Sequence, residues 1–121
     1  TGPYVQYTYA RCSSIIRKVD DFVAGNDIDY SLLTDAESLD LLKEISRFPK
    51  VVVDASEKYE PSVVARFAVD VAQAFNKFYN ANRINVEEKN VRDARMTMVH
   101  LTRKTIKDAL LLLGIECPEQ M

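Results

Sequence analysis

Seven apolar residues, Val64, Phe67, Ala68, Val71, Ala72, Phe75 and Phe78, recur at three- and four-residue steps in a run that begins just after Pro61. At about 100° per residue they fall on one side of an α-helix and form a wide stripe over four turns. This is the strongest amphipathic signal in the chain, and it predicts a core helix against which the rest must pack.

The flanking segments supply the covering helices. A first helix is expected from about Tyr4, after Pro3, to about Ala24, with Gly25 as a left-handed stop. The acidic stretch Asn26 to Leu33 reads as a loop whose Ile28, Leu32 and Leu33 tuck inward. Thr34 and Glu37 have the spacing of a capping box, followed by a helix to about Arg47 with Leu39, Leu42, Ile45 and Phe48 as its inner stripe. Pro49 ends that helix and opens a short one to about Lys58, apolar at Val51, Val52 and Ala55.

A last helix is expected to start near Glu87 or Glu88 and to finish before Gly114, with Ala94, Met98, Leu101, Thr105, Ala109 and Leu112 inward and Ile115 closing its end. Pro118 forbids continuation, so the segment 119–121 either folds back or floats. With only 3 Gly and 4 Pro in 121 residues, 47% hydrophobic residues and few β-branched alternations, the expected fold is all-α, an antiparallel bundle of about five helices in a single domain, 1–121.

The formal net charge of −2 argues against a nucleic-acid binder if taken over the whole chain. The charges are unevenly divided, however. Residues 1–19 carry Arg11, Arg17 and Lys18 and no acid, residues 20–60 hold eleven acids against four bases, and residues 61–107 hold nine bases against four acids. Binding responds to potential within a Debye length of roughly 8–10 Å, so a locally basic surface remains available. Cys12 and Cys117 are far apart, there is one histidine, and no metal-ligand spacing is present. With Cys12 on an apolar stripe, a reduced cytoplasmic setting is expected, and no stretch of about 18 apolar residues points to a membrane.

Within the first helix, Val5, Cys12, Ile16, Val19 and Val23 form a core stripe, while Tyr4, Tyr7, Arg11 and Lys18 fall on a neighbouring one. Periodicity leaves two roles open for these tyrosines. They can cover the edge of the core with the hydroxyl in water, or they can stack bases beside cations that hold phosphates. Tyr79, at the side of the core stripe and next to the polar segment 80–83, has the same two options. Arg92, Arg95, Arg103, Lys104 and Lys107 make a basic run that reads either as a solvated face pairing with Asp93 and Asp108 or as a backbone contact for RNA. His100 reads as an exposed surface residue.

The string Thr1-Gly-Pro-Tyr-Val-Gln-Tyr-Thr-Tyr-Ala-Arg11 resembles the segment that opens the anticodon-binding domain of arginyl-tRNA synthetases, Gly-Pro-Tyr-aliphatic-Gln-Tyr-x-His-x-Arg. Leu41-Leu42-Lys43 to Phe48-Pro-Lys-Val-Val52, Ala74-Phe-Asn-Lys-Phe-Tyr-Asn80 with Arg83-Ile84, and Leu112-Leu-Gly-Ile-Glu-Cys-Pro-Glu-Gln-Met121 resemble later blocks of the same family in the same order. Together they cover the chain. Three positions depart from the pattern. Tyr9 stands where the family has histidine and projects towards the core, Gln120 stands where it has arginine, and Asp93-Ala94-Arg95 lacks the leucine of the Asp-Ala-Leu-Arg signature.

The resemblance implies a C-terminal domain of a larger class I synthetase that binds the anticodon stem-loop of arginine tRNA. It implies Tyr4, Tyr7, Arg11, Tyr79 and Met121 as RNA contacts, with the catalytic domain of the same enzyme as the other partner, no membrane and a monomeric state. The family's His-x-Gly-His and Lys-Met-Ser-Lys signatures do not occur in these residues, so this chain is expected to be non-catalytic by itself, with no cofactor of its own, ATP and magnesium belonging to the catalytic domain. The competing expectation is a helical bundle for protein–protein interaction, its aromatic face docking a partner helix.

Overall fold

In a computed structural model, which describes residues 2–19, 22, 28–119 and 121, five α-helices follow one another: α1 (Gly2–Lys18), α2 (Ala36–Ser46), α3 (Phe48–Lys58), α4 (Pro61–Ala81) and α5 (Lys89–Leu112). One turn of 3-10 helix spans Tyr30–Leu32, and no strand occurs among the described residues. All seven residues of the predicted stripe are buried on α4, whose 21 residues extend for about 30 Å. Each of the other four helices packs against it.

Two clusters divide this core along α4. Near the C-terminal end of α4, Phe75 and Phe78 meet Cys12 and Ile15 of α1 and Val19 just beyond it, Leu41 of α2, and Ala94 and Met98 of α5. Near its N-terminal end, Val64, Phe67 and Val71 meet Val5 and Tyr9 of α1, Val51 of α3, and Ile106 and Leu110 of α5. The early residues of α1 thus lie with the early residues of α4 and the late residues of α5, so α1 runs parallel to α4 while α5 runs antiparallel to both.

Helices α2 and α3 together cover one side of α4, running opposite to it. Asp35 at the start of α2 bonds Asn82 just beyond the end of α4, at 2.9 Å, and Phe48 at the start of α3 stacks on Phe67 with ring centroids 5.3 Å apart. Pro49 divides what would otherwise be one long helix. Arg47 at the joint keeps a helical backbone, with its guanidinium 5.7 Å from the Phe67 ring and within 3.7 Å of Asp70.

Several expectations shift. The first helix ends at Lys18 rather than near Ala24; the acids Asp20 and Asp21 follow in sequence, and negative charge is unfavourable at the negative end of a helix. Val23, Ala24 and Gly25 lie outside the described residues. Leu33 is buried and Ile28 half-buried as expected, but Leu32 is exposed, because the 3-10 turn rotates it outward.

The cap of α2 is Asp35 and not Thr34. Its carboxylate accepts from the Ser38 backbone at 3.2 Å and from the Ser38 hydroxyl at 2.7 Å, as well as from Asn82. A carboxylate accepts all three bonds where a threonine hydroxyl cannot. Anchored there, α2 turns Ser38, Leu41, Leu42 and Ile45 inward and leaves Leu39 52% exposed.

On α5, Ala94, Met98, Thr105 and Ala109 face inward as expected, with Val99, Thr102, Ile106 and Leu110 beside them. Leu101 is half-buried, and Leu112 is 57% exposed at the rim of an open depression lined also by Pro61 and Val64. His100 is half-buried rather than exposed; it stacks on Phe22 at 4.9 Å, and burial, assisted by the Arg103 charge, lowers its pKa.

The end of α5 follows its glycine. Gly114 has φ +71°, and the Ile115 and Gly114 amides donate to Leu110 at 2.9 Å and Leu111 at 3.1 Å. That pair of bonds, with Ile115 packed into the same cluster as Leu110, turns the chain sharply back.

Two outcomes follow from this packing. Burial alone pushes the Asp35 carboxyl up, but the hydrogen bonds from Asn82 and Ser38 outweigh it and hold the carboxyl below its ordinary value. Asp35→Ala is therefore expected to cost about 0.5–2 kcal/mol in urea denaturation at pH 7. The difference from wild type should persist down to the unfolded carboxyl value of about 3.9 and vanish as pH falls through the lower folded value. Burial also pushes the Cys12 thiol up to about 12, so iodoacetamide at pH 8, read by mass spectrometry, should label half-buried Cys117 well before Cys12.

Candidate nucleic-acid interface

Helix α1 offers two adjoining faces because its apolar and polar residues are offset by about one residue around the helix. Val5, Tyr9, Cys12 and Ile15 are buried, while Tyr4 is 40% and Tyr7 59% exposed, and Arg11, Arg17 and Lys18 are exposed beside them. The outward row is thus held on a helix whose other side is fixed by the core.

Asn76 of α4 fastens that row from behind. Its amide nitrogen donates to the Tyr4 hydroxyl at 3.0 Å and to Thr8 Oγ1 at 3.1 Å, and its oxygen accepts from Arg11 Nη1 at 2.7 Å. Thr8 passes the bond on to the Tyr4 carbonyl at 3.1 Å. Arg11 also lies 5.1 Å from the centre of the Tyr79 ring, which itself stacks on Phe75 with centroids 6.0 Å apart. One guanidinium therefore bridges an amide and an aromatic ring on α4, an arrangement suited to a planar cation with a fork of donors.

Tyr4, Tyr7, Arg11, Arg17, Asn76 and Met121 line one open cleft of about 680 Å³. Four of the five residues predicted from the sequence are brought together there. The fifth, Tyr79, is half-buried and lines a neighbouring depression with Lys18, Asn80 and Arg83, joined to the cleft through Arg11. Glu119 also lines the cleft, an acid among cations. A hydrogen bond from Ser13 and the nearby Arg103 charge hold its carboxyl below the ordinary value.

Asn76 and Glu119 were not singled out from the sequence. Asn76 left a faint sign, an amide at the margin of the apolar stripe one turn before Tyr79. Glu119 left none, since its partners Tyr9 and Arg103 are remote in sequence. Tyr9 is buried as expected, and burial raises its pKa.

The basic run on α5 is largely tied into the fold. Lys104 pairs with Asp108 at 2.7 Å, Arg95 donates to the Arg83 carbonyl at 2.6 Å, and Arg103 reaches Glu119 at 2.6 Å. Asp93 pairs with Lys89, from outside that run, at 2.8 Å. Asp93-Ala94-Arg95 thus secures the start of α5 against the preceding loop, with Ala94 buried beneath it. Among the described residues no group of His, Cys, Asp or Glu could hold a metal ion, and no helix is long and apolar enough to cross a membrane.

Residues 5–121 match the family model of the DALR anticodon binding domain. Over all 121 residues the chain is 50% identical to an arginine–tRNA ligase of Clostridioides difficile and 47% identical to one of Streptococcus thermophilus. It spans only 21% of each of those proteins. The whole chain also superimposes on a solved arginyl-tRNA synthetase of Thermus thermophilus, with a TM-score of 0.89 at 34% identity, and on that of Plasmodium falciparum, with a TM-score of 0.82 at 25% identity. It covers 21% of each of those chains.

Removing the amide behind the row should loosen it without unfolding the core. Asn76→Ala is expected to lower stability by about 1–3 kcal/mol in denaturant titration, the net worth of three part-exposed hydrogen bonds. The Tyr4 ring resonances should at the same time shift towards those of a solvated tyrosine.

Proposed function

The chain belongs to the DALR anticodon-binding domain family, and on that premise we propose that it reads the anticodon loop of arginine tRNA for a longer arginine–tRNA ligase. The observation that carries this reading is the sharing of one cleft by Tyr4, Tyr7, Arg11 and Met121, with Tyr79 against the same guanidinium. Loop bases are read by splaying them out, stacking them on rings and bonding their exposed edges, so a row of part-exposed rings beside guanidinium groups suits them.

In this reading Tyr4 and Tyr7 are stacking platforms and Arg11 bonds a phosphate or base edge from a position set by Asn76. Tyr79 contributes at the border, where its ring already supports Arg11, and Met121 supplies an apolar wall. The local excess of cations on this face draws a polyanion despite the net charge of −2. Holding the loop here would orient the acceptor end towards a catalytic domain elsewhere in the longer protein. ATP and magnesium would act in that domain, and the isolated chain is expected to give no ATP–pyrophosphate exchange.

The test is fluorescence-anisotropy titration of the chain with an anticodon stem-loop of arginine tRNA. Tyr7→Ala should weaken binding by about 1–3 kcal/mol, roughly five- to 150-fold. The logarithm of the wild-type binding constant should fall linearly with the logarithm of salt concentration. Unchanged affinity in Tyr7→Ala would remove the stacking assignment, and binding indifferent to salt would remove the phosphate contacts assigned to the cations of this face.

A further inference from the structure

We propose that Arg103 and Glu119 are positioning residues for the cleft, their ion pair fastening the closing segment of the chain against α1 so that Met121 forms one of the cleft walls. The inference rests on the anticodon-loop reading and adds to it the device that completes the site.

The sharp turn at Gly114 sends the chain back over α1, but from Ile115 to Glu119 no helical bonds support it, and Pro118 excludes a return to helix. A short irregular segment of this kind is ordered only where side chains tie it down. Side chains of α1 and α5 supply such ties. Gln6 Nε2 donates to the Glu116 carbonyl at 3.1 Å, Arg17 Nη1 to the Glu119 carbonyl at 3.5 Å, and Arg103 Nη2 to Glu119 Oε1 at 2.6 Å. The last is the strongest by charge and distance.

Arg103 is itself prepared for the task. Its Nε donates to the Ser13 hydroxyl at 2.8 Å, and its guanidinium carbon lies 4.8 Å from the centre of the buried Tyr9 ring. The Tyr9 hydroxyl donates to the same Glu119 oxygen at 3.3 Å. The guanidinium is thus oriented by α1 before Glu119 arrives, so little freedom remains to be lost when the pair forms. The tyrosine at position 9 supplies both a ring surface and a hydroxyl to this arrangement.

The pair is not deeply buried, with side-chain exposures of 27% for Arg103 and 55% for Glu119. It should therefore bias the segment rather than fix it absolutely. If Met121 completes the cleft only while the segment is docked, apparent affinity falls in proportion to the docked fraction; the Glu119 carboxylate also lines the cleft, but removing an anion there favours a polyanion, so a loss of binding on breaking the tie acts through Met121.

That dependence is testable in the full chain labelled with ¹³C-methyl methionine. Met96 and Met98 are fully buried and serve as internal controls, and Met121 reports the segment. In Glu119→Ala the Met121 methyl resonance should narrow and move to its random-coil position while the Met96 and Met98 resonances stay in place. Glu119→Ala and Met121→Ala should each weaken stem-loop binding about fivefold, and the double variant should be no weaker than about fivefold, since both remove the same wall.

Additive losses in the double variant, or a Met121 resonance unmoved by Glu119→Ala, would overturn the inference. If Tyr7→Ala weakens binding while Met121→Ala does not, the positioning role falls and the stacking reading stands. If neither variant changes binding, both fall together.

Discussion

The packing of α1 against α4 is the contact on which the candidate site depends. The buried face of α1 places Val5 and Tyr9 against the early half of α4 and Cys12 and Ile15 against its late half, so the helix is held at both ends. Once that face is fixed, helical geometry fixes the adjoining one, and Tyr4, Tyr7 and Arg11 must project together along one edge. A helix gripped at a single point could swing this edge; one gripped along its length cannot.

Polar groups then refine what the apolar contact sets out. Asn76 meets Tyr4, Thr8 and Arg11 at the border of the core, and Arg103 meets Ser13, Tyr9 and Glu119 on the other side of α1. Both are multidentate groups projecting from a neighbouring helix onto α1, and both use donors in fixed planar geometry. Part-exposed hydrogen bonds of this kind contribute only about 1 kcal/mol each to folding, so their larger effect is on where rings and charges point. The uneven distribution of charge has a similar logic, because the acids of residues 20–60 determine the net charge while the cations of α1 determine the potential at the cleft.

Much of this was legible from periodicity. The seven-residue stripe of α4 is buried in full, the break at Pro49 lies where the proline demands it, and Gly114 ends α5 with Ile115 closing the turn. The exposed row on α1 and the inward turn of Tyr9 could likewise be read from angular position alone. Where periodicity misled, a partner from elsewhere in the chain had decided the matter. Leu39 faces out because Asp35 is bonded to Asn82, and His100 is half-buried because Phe22 stacks on it.

The sequence by itself determined the order of the helices and, apart from the end of the first, their approximate extent, which face of each long helix is apolar, and that Tyr4, Tyr7 and Arg11 share an edge, because these follow from a local repeat of 3.6 residues. Only the tertiary structure decided that Asn76 stands behind that edge, that Asp35 rather than Thr34 caps α2, and that Glu119 brings Met121 beside the tyrosines. The physical reason is separation along the chain. Asp35 and Asn82 are 47 positions apart and Tyr9 and Glu119 are 110 apart, so no local pattern encodes these contacts, and they form only when packing brings their helices together.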